Sequence, residues 1–300
     1  LKAPSNQRGR DFAIMLAAFN QLGYSVEWRV INAADYGRAQ RRRRVFFFVF
    51  RNDTKWGKRL HTKYEATLSN DADLNARLEC YAPYIFEDGL FGRQFPVKGE
   101  AVKKRINANK LDEDIAEVSA NFSDGKMWNS GLMTNGYYYT IETEPKGDEE
   151  PIPMKKIVVK DNQVPENYYV DGEKLEKFKY LRGPKKITRT AANGHTYTFS
   201  EGGMSEYDSL ELPGRTMLTS EGSVNRSTHL LKIDGKYRLI TPIEAERLQD
   251  FPDDWTRYKR NAKGEVVEVS DRMRMFFMGN ALVTGIVKRI GDELQKIDAI

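Results

Sequence analysis

Gln40 is followed by four consecutive arginines, Arg41, Arg42, Arg43 and Arg44, and Arg38 stands just ahead of them. A guanidinium is a planar fork that stays charged and matches phosphate oxygens or paired acceptors. Such a cluster suits a phosphate or a nucleic acid. A solvated charged turn also accounts for it. On an extended chain Arg42 and Arg44 point to one side.

Other self-contained chemistry is weakly represented. His61, His195 and His229 have no second His, Cys or acid at metal-ligand spacing, and a structural zinc site needs four ligands. There is no Gly-x-Ser-x-Gly nucleophile elbow and no phosphate-binding GxxxxGK[ST] loop. Cys80 lies between Glu79 and Tyr81 with no activating base beside it, so it reads as packing.

The elements that must position these residues belong to a folded protein. The chain has 300 residues, 40% hydrophobic and 30% charged, with a net charge of +5. These values exclude disorder and low complexity. No window reaches the 18 or so apolar residues of a membrane span. The single cysteine excludes an internal disulfide framework and suits a reducing compartment.

Phe12, Met15, Leu16, Phe19 and Leu22 fall at helical spacing ahead of Gly23, which predicts a helix over 10–22. Residues 24–30 alternate apolar and polar, as a half-exposed strand does. Residues 45–50 are continuously apolar, which suits a strand buried on both faces. Helical pieces are expected at 71–79 and 97–107, strands at 137–141, 156–159 and 195–199, and an exposed loop over 144–153. This middle block reads as an irregular β-rich insertion. Thr241, Pro242 and Glu244 mark a helix start of the capping-box kind, with the helix running to about Gln249. A last helix is expected to open near Asn280.

Three segments, far apart in sequence, carry a resemblance. The first is residues 32–46, with Gln40 through Arg44. The second is residues 237–255, with Arg238, Leu239, Thr241, Pro242, Leu248, Gln249, Phe251, Pro252 and Asp253. The third is residues 277–283, with Gly279, Asn280, Ala281 and Val283. In this order they resemble the late motifs of cytosine-C5 DNA methyltransferases. Between them, residues 214–222, with Gly214, Arg215, Thr216 and Thr219, are similar to a stretch of that family's target-recognition domain.

The resemblance implies an α/β fold: the C-terminal part of a Rossmann-like methyltransferase catalytic domain with an inserted irregular β-rich target-recognition domain. The expected division is 1–55 catalytic, 56–236 recognition and 237–300 catalytic again. It implies double-stranded DNA as substrate and S-adenosyl-L-methionine as cofactor. Arg44 would reach a cytosine flipped from the stack, with Arg42 and Gln40 supporting the pocket. Asn280 and Ala281 would line the cofactor site, although Asn280 alone reads equally as a helix N-cap. Arg238 and the helix after Thr241 would be scaffolding. Within the recognition block, Lys185, Lys186 and Arg189 would hold phosphates, as would Arg41, while Ser220, Glu221 and Arg226 would reach base edges.

The family's Pro-Cys nucleophile loop, its Glu-Asn-Val segment and its Phe-x-Gly-x-Gly loop have no counterpart here. Leu1 to Ser5 and the helix after them resemble the continuation of the Glu-Asn-Val segment. The expectation is therefore a later part of the enzyme, inactive alone. The remainder would come from upstream or from a partner chain, in a bacterial or phage-encoded, cytoplasmic, nucleoid-associated protein. A sequence-specific DNA-binding subunit without chemistry is the alternative.

Overall fold

The apolar stripe of Phe12, Leu16 and their neighbours folds as α1 (Arg10–Gln21) and buries Phe12, Ala13, Leu16 and Ala17. The chain then enters β1 (Tyr24–Asn32) and, after a turn, β2 (Arg43–Arg51). These elements come from a computed structural model that describes residues 7–69, 71–123 and 127–298. The opening Leu1 to Ser5 lies outside the described residues. Two compact units emerge. One holds Leu1–Asn32, Arg43–Asp148 and Val287–Ile300, the other Ala33–Arg42 and Glu149–Ile286.

In the first unit, Thr54 caps α2 (Lys55–Tyr64) and Asp73 caps α3 (Leu74–Pro83), each accepting from a backbone N–H of the first turn. Then come α4 (Leu90–Gln94), β3 (Ile106–Lys110), α5 (Ile115–Asn121), β4 (Ser130–Thr134) and β5 (Tyr137–Ile141). The five strands form one sheet in the order β2-β1-β4-β5-β3. Every pairing in it is antiparallel. Phe12, Leu16, Val26 and Met133 share one core, and Phe50, Tyr81, Leu132 and Tyr139 another.

This sheet corrects several expectations. Residues 106–141 pair into the same sheet as 24–51, and both stretches lie in the first unit. The ladders among the described residues are antiparallel, and the architecture is mixed α/β with several small sheets. The strand expected to be half exposed, β1, is almost wholly buried, because its polar residues find internal partners. Ser25 donates to Asn52 and Thr134. Arg29 donates to the carbonyls of Phe95 and Ile85. Conversely, β2 is an edge strand, and Val45 and Phe47 are 45% and 37% exposed. No α-helix forms over 97–107, only a single 3-10 turn at Val102–Lys104. Lys98 and Val102 donate instead to the carbonyls of Glu144 and Glu142, and the segment leads into β3.

The second unit contains β6 (Tyr169–Val170), α6 (Gly172–Arg182), β7 (Lys185–Thr190), β8 (Thr196–Glu201), β9 (Leu230–Ile233) and β10 (Lys236–Leu239). After them come α7 (Pro242–Leu248), β11 (Tyr258–Arg260), β12 (Val266–Glu268), α8 (Asp271–Asn280) and the start of α9 (Thr284–Asp298). Strands pair as β6-β10-β9, with β7-β8 and β11-β12 as separate ribbons. Ala39, Met154, Met217, Leu231, Leu248 and Met278 lie in its core. Residues 156–159 are not a strand: Ile157 and Val158 turn back onto the Met154 carbonyl, and the Val159 N–H is taken by Glu244. No helix among the described residues is long and apolar enough to cross a membrane.

Glu27 on β1 is a buried acid of the first unit. Its carboxylate accepts from the N–H groups of Leu90 and Phe91, at 3.0 and 2.9 Å, and from Tyr84 Oη at 3.2 Å. Burial pushes its pKa up to about 7, against the lowering influence of Arg29 and these donors. A folded-state pKa above the unfolded value favours folding at low pH, and that contribution is lost as pH rises through about 7. Glu27→Gln removes this titration. Denaturant unfolding at pH 5 and pH 8 is expected to show wild type losing about 2 kcal/mol more than the variant over that interval.

Candidate functional site

The Gln40 side chain is completely buried and spends both ends of its amide on main chain. Nε2 donates to the Leu248 carbonyl at 3.0 Å, and Oε1 accepts from the Met217 N–H at 3.0 Å. Arg42 is buried too. Its Nη1 donates to the Met217 carbonyl at 2.8 Å and its Nη2 to the Gly279 carbonyl at 2.9 Å. Around them the backbone is laced together. Arg41 N–H donates to the Gly214 carbonyl, Gly214 N–H to Ala39, and Thr216 Oγ1 to the Arg41 carbonyl.

Two glycines make this approach possible. A Cβ on Gly279 would sit 2.4 Å from the Thr219 nitrogen, and one on Gly214 would sit 2.8 Å from Leu248 Cδ2. The segments around 40, 214–219, 248 and 279 are thus held together through main-chain atoms. These are the segments that carry the sequence resemblance.

A family model described as C-5 cytosine-specific DNA methylase matches residues 2–296. The chain belongs to this family. It is 50% identical over all its 300 residues to the type II methyltransferase M.Sau3AI of Staphylococcus aureus, and spans 66% of that protein's length. Over 45 residues it is 40% identical to the type II methyltransferase M.NlaIV of Neisseria lactamica, covering 15% of this chain and 11% of that protein. The methyl donor of C-5 cytosine DNA methyltransferases is S-adenosylmethionine.

Other residues of the methylase motifs fall into place around the clamp. Arg238 and Glu244 form a buried fork, with nitrogen–oxygen distances of 2.9 and 2.7 Å. Glu244 also accepts from Thr241 N–H, completing the capping box of α7. Arg44 lies on β2 in the other unit, half buried. Its Nη1 donates to the Arg43 carbonyl at 2.7 Å. Arg41 and Arg43 are exposed.

Asn280 does not open the last helix. It closes α8, its amide donating back to the Phe276 carbonyl at 3.1 Å. Ala281 follows in extended conformation, and α9 begins only at Thr284. Asn280 is exposed, and beside it Phe277 and Leu282 also expose apolar surface. A carboxamide next to exposed apolar side chains is a donor set that fits one wall of an adenosyl site.

The recognition candidates divide. Lys186 and Arg189 stand exposed on β7, the Arg189 guanidinium 4.0 Å from the centre of the Phe199 ring. Lys185 is half buried and donates to the Leu181 carbonyl at 2.7 Å. Ser220 is exposed and borders a cleft of about 520 Å³ with Thr219, Ser223, Ser270 and Arg272. Glu221 and Arg226 both make internal bonds. The Glu221 carboxylate is buried against His229, accepting its N–H at 2.6 Å and lying 3.1 Å from Nδ1. Arg226 pairs with Glu201 at 2.8 Å and reaches the Gly202 carbonyl at the base of the β7-β8 ribbon.

Sequence reasoning missed Asp208. It accepts from Arg182 at 2.8 Å, from Leu230 N–H at 3.0 Å and from Arg215. Burial alone would raise this carboxyl. The Arg215 hydrogen bond and the charges of His229, Arg215 and Arg182 outweigh burial and hold it well below the usual range. Only Arg215, in the segment resembling the recognition domain, hinted at the cluster.

Gln40→Ala would strand the Met217 N–H and the Leu248 carbonyl without a partner in the core. The expected cost is about 3 kcal/mol, read as a lower denaturation midpoint with an unchanged slope.

Proposed function

We propose that this chain supplies the target-recognition and base-holding part of a DNA (cytosine-5-)-methyltransferase acting on double-stranded DNA. The observation that supports this best is the convergence of the separated methylase segments on Gln40 and Arg42. These two residues work as positioning residues: the Gln40 amide and both terminal nitrogens of Arg42 hydrogen-bond to main chain. Arg44, two residues on, keeps most of its guanidinium uncommitted among the described residues, with one hydrogen bond to the Arg43 carbonyl.

A base methylated at ring carbon 5 must first leave the stack. When a thiolate adds at carbon 6, negative charge spreads into the ring toward its oxygen. A fork held by β2 donates to that oxygen and favours the charged state over the ground state. Arg41 adds positive charge for the flanking phosphate. S-adenosylmethionine supplies the methyl group. Asn280 and the Ala281 backbone would contact its adenosyl portion.

The thiolate is not Cys80, whose Sγ donates to the Tyr64 carbonyl at 2.8 Å beside a tyrosine-rich core. In this proposal the nucleophile and a catalytic glutamate come from residues outside these 300, on the same polypeptide or on a partner chain. Likeness to a staphylococcal type II methyltransferase favours a restriction–modification role in a bacterial cytoplasm.

Two outcomes test this. Residues 1–300 alone should transfer no label from S-adenosylmethionine to DNA, and turnover would refute the division of labour. In an enzyme that does turn over, Arg44→Ala should lower the transfer rate about 100-fold or more with DNA affinity nearly unchanged. A module that only binds DNA would need no Arg44, so an unchanged rate would sink the catalytic role.

A further inference from the structure

With Glu221 and Arg226 bonded internally, Ser220 is the base-edge candidate of that loop that stays exposed, and further side chains are open to sequence selection. The β7-β8 ribbon offers them. Nine of its twelve strand residues are exposed, on both faces. A two-stranded ribbon usually needs a further layer to cover one face.

Register sorts its side chains. Lys186 pairs with Ser200, Thr188 with Thr198 and Thr190 with Thr196. These alternate with Ile187 opposite Phe199 and Arg189 opposite Tyr197, so the two sets lie on opposite faces. The first face carries hydroxyls and one ammonium and no carboxylate. From 185 to 200 the chain has Lys185, Lys186 and Arg189 and no acid. The acid that follows, Glu201, is neutralised by Arg226. The root is fixed, since Met204 N–H donates to the carbonyl of buried Arg182 at 2.9 Å.

Building on the methyltransferase reading above, we propose that this ribbon enters the major groove of duplex DNA and that Thr188 and Thr198 select the target sequence. The major groove, about 12 Å wide and 8.5 Å deep, admits a two-stranded β-ribbon. Strands of six residues extend roughly 20 Å, enough to reach its floor. A threonine hydroxyl both donates and accepts, and its methyl packs on the thymine methyl. Arg189, stacked on Phe199, and Lys186 meet the flanking phosphates.

The test is selection of bound duplexes from a randomised pool by the full chain and by Thr188→Val/Thr198→Val. Valine keeps the branched shape and strand preference and removes only the hydroxyls. Wild type should enrich a motif. The variant should hold bulk duplex within about threefold and with the same salt slope, since no charge has changed. Its preference at one or more motif positions should fall about tenfold or more. An unchanged motif overturns the role of the threonines. Lys186→Ala/Arg189→Ala should weaken binding to every sequence and flatten the salt slope by about 2; an unchanged slope places the ribbon off the DNA. If wild type itself retains no duplex at low salt, the methyltransferase reading fails first, and the ribbon proposal with it.

Discussion

The second unit depends on one constraint: two long polar side chains, Gln40 and Arg42, are buried where water cannot reach them. Buried polar groups must find partners, and the available partners are peptide groups of segments that are distant in sequence. Satisfying them draws Met217, Leu248 and Gly279 to within hydrogen-bonding distance of one short stretch. The close approach then demands glycine at 279, where a Cβ would meet the backbone of Leu218 and Thr219. The arginine cluster thus divides its labour. Arg42 is buried against main-chain carbonyls, Arg41 and Arg43 are exposed, and Arg44 is half buried.

The first unit solves a related problem in a different way. Its inner strand β1 carries Ser25, Glu27 and Arg29 into the interior. Each is matched by donors or acceptors on packed elements, which fixes how the stretch from Ile85 to Phe95 lies against the sheet. Arg29 caps carbonyls at 85 and 95, and Glu27 caps N–H groups at 90 and 91. A purely apolar strand would bury equally well but would not specify which turn sits over which residue.

Local features were legible in the sequence. Thr241, Pro242 and Glu244 are neighbours, so their capping box could be read directly, and α1 followed from its stripe. Features set by distant partners were not. The segment 97–107 looks helical until the carbonyls of Glu142 and Glu144 are brought beside it. The run 45–50 looks doubly buried, yet strand order places it at an edge. Asn280 resembles an N-cap because the type is right, but the turn before it was already helical. Glu221 looked like a loop acid because nothing nearby in sequence announces that His229 folds over it.

The clamp of Gln40 and Arg42 ends on main-chain atoms wherever it crosses into the recognition segment. Peptide groups are the same at every residue, so the clamp places no demand on the side chain at 217 or 248. What those side chains must satisfy is the core in which Met217 and Leu248 are packed. A scaffold fastened this way is modular. On the reading proposed above, new target sequences would be acquired by rewriting the exposed ribbon and loops, while Gln40 and Arg42 keep their main-chain partners.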